Sequence, residues 1–148
     1  MSASTLYQQV VLDHYRHPRH RGAVDGFTHC AEGANPLCGD RLRVEATCDG
    51  HRIVKVGFAG EACAIATASG SMLGDLVANR SSSEVGAWAD RFSRMIESGV
   101  ADDELGELNA MRELQRYPGR RKCALLPWAT LRAALAGVDR TTTESESR

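Results

Sequence analysis

Asp40-Arg41-Leu42-Arg43-Val44-Glu45-Ala46-Thr47-Cys48-Asp49-Gly50-His51-Arg52-Ile53-Val54-Lys55-Val56-Gly57-Phe58 is the stretch on which the fold turns. Leu42, Val44, Ala46 and Cys48 alternate with Arg43, Glu45 and Thr47, and Val54, Val56 and Phe58 repeat the pattern after the break. A period of two sends every second side chain to one face, so both halves are strands of a sheet with one apolar side. Asp49-Gly50 alone would make a two-residue turn and set Val44 against Lys55. A three-residue connection, Asp49-Gly50-His51, sets Val44 against Val56 and Leu42 against Phe58. One residue of slip turns every side chain over, so the three-residue loop is expected.

Upstream, Leu6, Val10, Val11 and Tyr15 lie on one helical stripe of residues 4–15, with Ser4 or Thr5 as candidate cap and Pro18 as the stop. The histidine-bearing basic run 14–22 reads as a helix end and turn. A short strand over 27–32 leads into a loop, Asn35-Pro36-Leu37-Cys38-Gly39-Asp40. Downstream of Gly60 the period lengthens. Ile65, Ser69, Met72, Leu73, Leu76 and Val77 share one face of a small-residue helix. Ser81 and Glu84 have capping-box spacing, and Val85, Trp88, Ala89, Phe92, Met95 and Ile96 form an amphipathic helix that stops at Gly99. Residues 102–115 predict one or two short helices joined around Gly106, and a last helix carries Leu125, Trp128, Leu131 and Leu135 up to Gly137. The fold class expected is α+β, a small antiparallel three-stranded sheet with helices packed on one face. Residues 1–137 form one domain. Residues 138–148, polar and without apolar anchors, are expected to be a disordered tail.

The chain has 148 residues, and 18 Lys and Arg against 19 Asp and Glu leave a net charge of −1. Such a balance gives no broad surface for polyphosphate, so nucleic acid is not an expected partner. No run of about 18 apolar residues occurs, and the N-terminus lacks the layout of a secretion signal. A cytoplasmic protein with no membrane partner is expected.

Five cysteines stand at positions 30, 38, 48, 63 and 123. Cytosolic thiols stay reduced, which turns attention from disulfides to metal binding and thiol chemistry. Cys48 continues the apolar alternation of its strand and reads as a core residue, and Cys30, in an edge strand, stays open between ligand and structural roles, with the structural one ahead. Cys38, Cys63 and Cys123 sit instead at element junctions. Cys63 follows a strand-to-helix switch, and Cys123 comes near the start of the last helix after Arg120-Arg121-Lys122. Helix N-termini and nearby cations favour the thiolate, the form that binds metal and attacks sulfur. Asp40 lies two residues from Cys38, and in an extended stretch both would point to one side. The spacings of 25 residues from Cys38 to Cys63 and 60 from Cys63 to Cys123 are unlike paired zinc-finger ligands. Spacing by itself leaves a metal site and three ordinary buried thiols equally open. The histidines at 14, 17, 20, 29 and 51 fall in polar segments and turns, where solvated or partner-facing roles are expected.

At these residues the chain resembles the U-type iron–sulfur cluster assembly proteins, the IscU, SufU and NifU N-terminal group. The resemblance is carried by Leu6-Tyr7, Val10, Asp13-His14-Tyr15-Arg16 and Pro18-Arg19, then by Asn35-Pro36-Leu37-Cys38-Gly39-Asp40. Gly60-Glu61-Ala62-Cys63-Ala64-Ile65 and Arg120-Arg121-Lys122-Cys123-Ala124-Leu125 with Trp128 and Leu131 complete it. Within the group it looks like SufU. Lys122 stands where IscU scaffolds carry a histidine, and the segment around 101–117 accounts for a longer second-to-third cysteine spacing. The resemblance implies an IscU-like fold and a zinc ion held by Cys38, Asp40, Cys63 and Cys123. It also implies a sulfur acceptor for a pyridoxal-phosphate cysteine desulfurase of the SufS type, working with other cluster assembly proteins. In that mechanism a desulfurase histidine replaces one cysteine on the zinc and frees it to take persulfide sulfur. Here the freed residue would be Cys38, and Arg120, matching a SufU arginine, would hold a departing carboxylate or thiolate.

Pro127 stands inside the last helix and predicts a later start or a bend there. Three activities follow from the same residues. One is zinc-dependent sulfur transfer; another is a scaffold with the three cysteines on an iron–sulfur cluster, or iron, in place of zinc. A closed structural zinc is the third. Lys122 favours the first over the second, and the Asp ligand with loop-borne Cys38 favours both over the third.

Overall fold

The computed structural model describes residues 3–144, with side chains from Thr5 onward. Elements run in the order α1 (Ala3–Arg16), β1 (His29–Asn35), β2 (Asp40–Asp49), β3 (Arg52–Glu61), α2 (Ala64–Val77) and α3 (Ser82–Ser98). A 3-10 segment (Asp103–Arg116), α4 (Pro118–Leu135) and β4 (Arg140–Thr142) follow. The class is α+β, as expected, but the sheet has four strands in the order β3-β2-β1-β4 and is mixed. The three-stranded antiparallel expectation is corrected by β4, which pairs parallel to β1, Arg140 with Glu32 through Thr142 with Ala34. β4 arises within the stretch read as a tail. It is held through its backbone, which needs no apolar side chain; residues 145–148 lie outside the described ones.

The hairpin register is also corrected. Asp49 pairs with Arg52 around a two-residue turn, Gly50-His51, and the register then shifts, so that Thr47 faces Lys55 and Val44 faces Phe58. Val54 is the extra residue, a β-bulge that flips the alternation at this point. Ile53 is thereby fully buried, while Val54 is 54% exposed. Leu42, Val44 and Ala46 still share the apolar face with Val56 and Phe58, so the expected face is kept while its partners move by two.

The helices follow local signals. Ser4 and Thr5 lie within α1, not before it, and the helix ends ahead of Pro18. The capping box of Ser81 and Glu84 is formed, and α3 stops at Gly99 in the left-handed conformation. Gly106 breaks the 3-10 segment in two. α4 starts earlier than expected, because Pro118 sits at its first turn, where a missing N–H costs nothing. It then continues through Pro127, and in the turn before, the Ser69 hydroxyl donates to the Ala124 carbonyl at 2.6 Å. Trp128, Phe92, Ile53, Met111 and Leu131 are among the largest fully buried side chains. Each contributes about 1.5–3 kcal/mol by leaving water. The Phe92 and Trp128 rings stack with centroids 5.5 Å apart. Gly33 lets β1 approach α4, since a Cβ there would collide with Thr130 Oγ1 and sit 3.1 Å from Leu126 Cδ1.

Candidate metal centre

Three chain segments converge at the turn end of the β1–β2 hairpin. Asn35 and Asp40 form its closing pair, and Pro36-Leu37-Cys38-Gly39 is the loop between them. The Cys38 N–H donates to the Asn35 carbonyl at 3.2 Å, and Gly39 takes φ of 73°, a left-handed turn that glycine makes without strain. Cys38 is thus in a turn and not in the extended stretch from which the shared direction with Asp40 was read. The turn brings the two together all the same. Cys38 is exposed at the loop tip beside Leu37, itself 71% exposed.

Cys63 is the N-cap of α2, with extended backbone, and its Sγ accepts from the Ala66 N–H at 3.4 Å. Its own N–H donates to Asp40 Oδ1 at 2.8 Å, and its Sγ lies 3.6 Å from Asp40 Oδ2. Cys123 is different. It lies in the second turn of α4 and is 2% exposed, beyond the reach of the N-terminal dipole that its sequence position suggested. Its Sγ lies 3.2 Å from Cys38 Sγ and accepts the Asn35 Nδ2–H at 3.4 Å.

The ligand atoms of Cys38, Asp40 and Cys123 all lie within 4.8 Å of one another. Two sulfurs with a carboxylate oxygen, gathered at this range, are a fitting donor set for zinc. Cys63 borders this trio through Asp40. The four expected ligands therefore lie in one neighbourhood, three of them mutually close.

The thiols are unequal. The proton of the Cys123 thiol, offered to Cys63, holds Cys63 down to about 7 against burial, with help from the Ala66 and Ile65 N–H groups. Cys123 is pushed up by that same proton and by burial. Interacting thiols titrate as a set, so these shifts belong to the group of thiols together.

Arg120 lies in the first turn of α4. It lines a hollow of about 320 Å³ with Tyr7, Gln8, Glu113 and Tyr117. Burial raises the Tyr7 hydroxyl's pKa and the nearby Arg120 charge opposes the rise. Lys122 Nζ turns to Glu144, 3.0 Å away. Cys48 and Cys30 are half-buried and stand apart from the trio. His14, expected to be solvated, is fully buried, with Nδ1 2.7 Å from Ser71 Oγ and Nε2 2.9 Å from Glu107. Its polar sequence neighbours concealed an inward-facing position on α1. Asn35, fully buried against Cys123, carried a signal in the Asn-Pro-x-Cys-Gly-Asp loop, but that signal named no partner.

No helix among the described residues is long and apolar enough to cross a membrane. The chain matches the NifU-like N terminal domain over residues 6–143. It is 39% identical over 132 residues to the iron–sulfur cluster assembly scaffold protein IscU of Streptococcus pyogenes serotype M1, covering 88% of this chain and 82% of that one. It is 34% identical over 134 residues to the zinc-dependent sulfurtransferase SufU of Bacillus subtilis strain 168, covering 89% and 90%. Among solved structures, a cluster assembly scaffold of the SUF system from Fervidobacterium islandicum AW-1 is similar at a TM-score of 0.82 and 29% identity, with 90% and 99% coverage. The chain belongs to the NifU-like N-terminal domain family, the family of the IscU- and SufU-type iron–sulfur cluster assembly proteins.

Proposed function

We propose that this protein accepts persulfide sulfur at Cys38 from a cysteine desulfurase of the SufS type, in the cytoplasm and alongside other assembly proteins. Zinc would be held by Cys38, Asp40, Cys63 and Cys123. The observation that carries this reading is the asymmetry of the thiols: Cys38 is exposed on a loop tip while its nearest thiol neighbour, Cys123, is 2% exposed. A resident zinc would keep its thiolates deprotonated and bring no redox chemistry. The Cys38 thiolate attacks the outer sulfur of the donor persulfide. A new sulfur–sulfur bond forms to Cys38, the old one breaks, and the donor cysteine leaves as a thiolate with no net change in electrons. Arg120 is proposed to receive an anion in its hollow beside Tyr7, close to the thiols.

Zinc-loaded protein added to the cognate desulfurase and cysteine should raise sulfide release, and Cys38→Ala should abolish the increase. No increase with the wild type would end this reading. A cluster scaffold is the second reading, supported by the 39% identity to a protein named IscU. It predicts visible thiolate-to-iron absorption on anaerobic incubation with iron and sulfide.

A further inference from the structure

The last residues of the described chain are tied to the Cys123 side of the thiol site in a way the assembly chemistry does not by itself require. β4 lies parallel to β1, and the Thr143 N–H continues the ladder, donating to the Ala34 carbonyl at 3.0 Å. This fixes Thr143 beside Asn35, and its hydroxyl donates to Asn35 Oδ1 at 3.0 Å. The opposite end of the same carboxamide donates to Cys123 Sγ at 3.4 Å. One residue further, Glu144 pairs with Lys122, the residue preceding Cys123, at 3.0 Å. Two consecutive tail residues are thus tied to the Cys123 side of the site, one through Asn35 and one directly to α4.

A carboxamide has a donating end and an accepting end, and Asn35 is fully buried. An anionic sulfur needs the donating end. The accepting end must then find a hydrogen of its own, since a buried carbonyl left unpaired costs about 1–3 kcal/mol. The Thr143 hydroxyl supplies it. Removing a group that orients a metal's ligand from behind typically weakens metal binding about 10–100-fold.

We propose that Thr143 is a positioning residue for the metal centre. Through Asn35 it aims an N–H at Cys123 and so holds the buried thiolate in place. This rests on the zinc reading above, and the experiment separates the two. Wild type, Thr143→Val and Thr143→Ser are stripped of metal and titrated with zinc against a chromophoric chelator. Val keeps the branched shape and removes the hydroxyl, whereas Ser restores it. Thr143→Val should bind zinc about tenfold more weakly, and Thr143→Ser within about twofold of wild type. A wild type that binds one zinc together with an equally tight Thr143→Val overturns this proposal alone, as does a Ser variant as weak as Val. A wild type that binds no zinc overturns the zinc reading, and this proposal with it. A readout independent of metal and of any substitution is the Asn35 side-chain amide in metal-free wild type. Its protons should exchange slowly with solvent; exchange as fast as an exposed carboxamide overturns the proposal.

Discussion

Asn35 and Asp40 face each other as the closing pair of the β1–β2 hairpin, and their side chains serve different cysteines. Asn35 donates to Cys123 Sγ at 3.4 Å, while Asp40 accepts from the Cys63 N–H at 2.8 Å. Opposite residues of an antiparallel pair project from one face of a sheet, so a single rung reaches both α4 and the start of α2. The loop that this rung closes presents Cys38. Hairpin geometry, more than sequence proximity, assembles the centre.

Asp40 therefore has two separable roles, ligand and acceptor. Asp40→Asn keeps an oxygen for the Cys63 N–H but loses the carboxylate. It should leave the metal-free melting temperature close to wild type while weakening zinc by about 100-fold or more. Asp40→Ala should also lose about 1 kcal/mol of stability from the unpaired N–H, a fall of about 3 °C in melting temperature. Calorimetry and chelator competition on the two variants separate these effects.

The unequal thiols give the metal-free protein a pH signature. Cys63 is lowered to about 7 from 9.0, so its contribution to stability is full above pH 9 and is lost as pH falls through 7. Cys123 is raised from 9.0, so its contribution is present below pH 9 and is lost only as pH climbs far above it. Denaturant midpoints of metal-free protein should rise from pH 7 to 9, with one thiolate appearing in ultraviolet absorbance over the lower part of that range. A flat stability curve, or three thiols ionising together near 9, would contradict the arrangement.

Gly33 sets how closely β1 lies on α4, and with it the Asn35–Cys123 contact two residues on. Gly33→Ala places a methyl into Thr130 and Leu126 and should cost about 1–3 kcal/mol, read by chemical denaturation. Zinc affinity should fall with it. Full affinity in a destabilised variant would show that the contact tolerates a displaced strand.

His14 is fully buried between Ser71 and Glu107 and joins α1 to α2 and to the 3-10 segment. His14→Leu should remove about 1–3 kcal/mol by leaving the Ser71 hydroxyl with one partner fewer, while zinc stoichiometry stays unchanged. Thermal melts with metal analysis check both halves.

What was legible in the sequence was local. The Ser81 and Glu84 cap, the stop at Gly99 and the helix starting after Cys63 each depend on neighbours within a turn, and all are formed. The hairpin register was not legible, because the bulge at Val54 is settled by where Ile53 is buried, a fact of packing. β4 escaped because Arg140–Thr142 pairs with β1 through a backbone ladder that needs no apolar side chain. The early start of α4 escaped because Pro118-Gly119 reads as a break unless the proline falls in the first helical turn. Cys38, Asp40, Cys63 and Cys123 could be picked from junctions and a motif. Asn35's hydrogen bond to Cys123, 88 residues away, and Thr143's to Asn35 exist only once β1, α4 and β4 are assembled.

The central claim is that Cys38 is where sulfur arrives. Zinc-loaded protein, turned over with desulfurase and cysteine and quenched with an alkylating reagent, can be digested and weighed peptide by peptide. The peptide containing Cys38 should gain the mass of one sulfur atom, removable by a reductant, with those containing Cys63 and Cys123 unchanged. Extra sulfur on Cys63 or Cys123 and none on Cys38 would contradict the account.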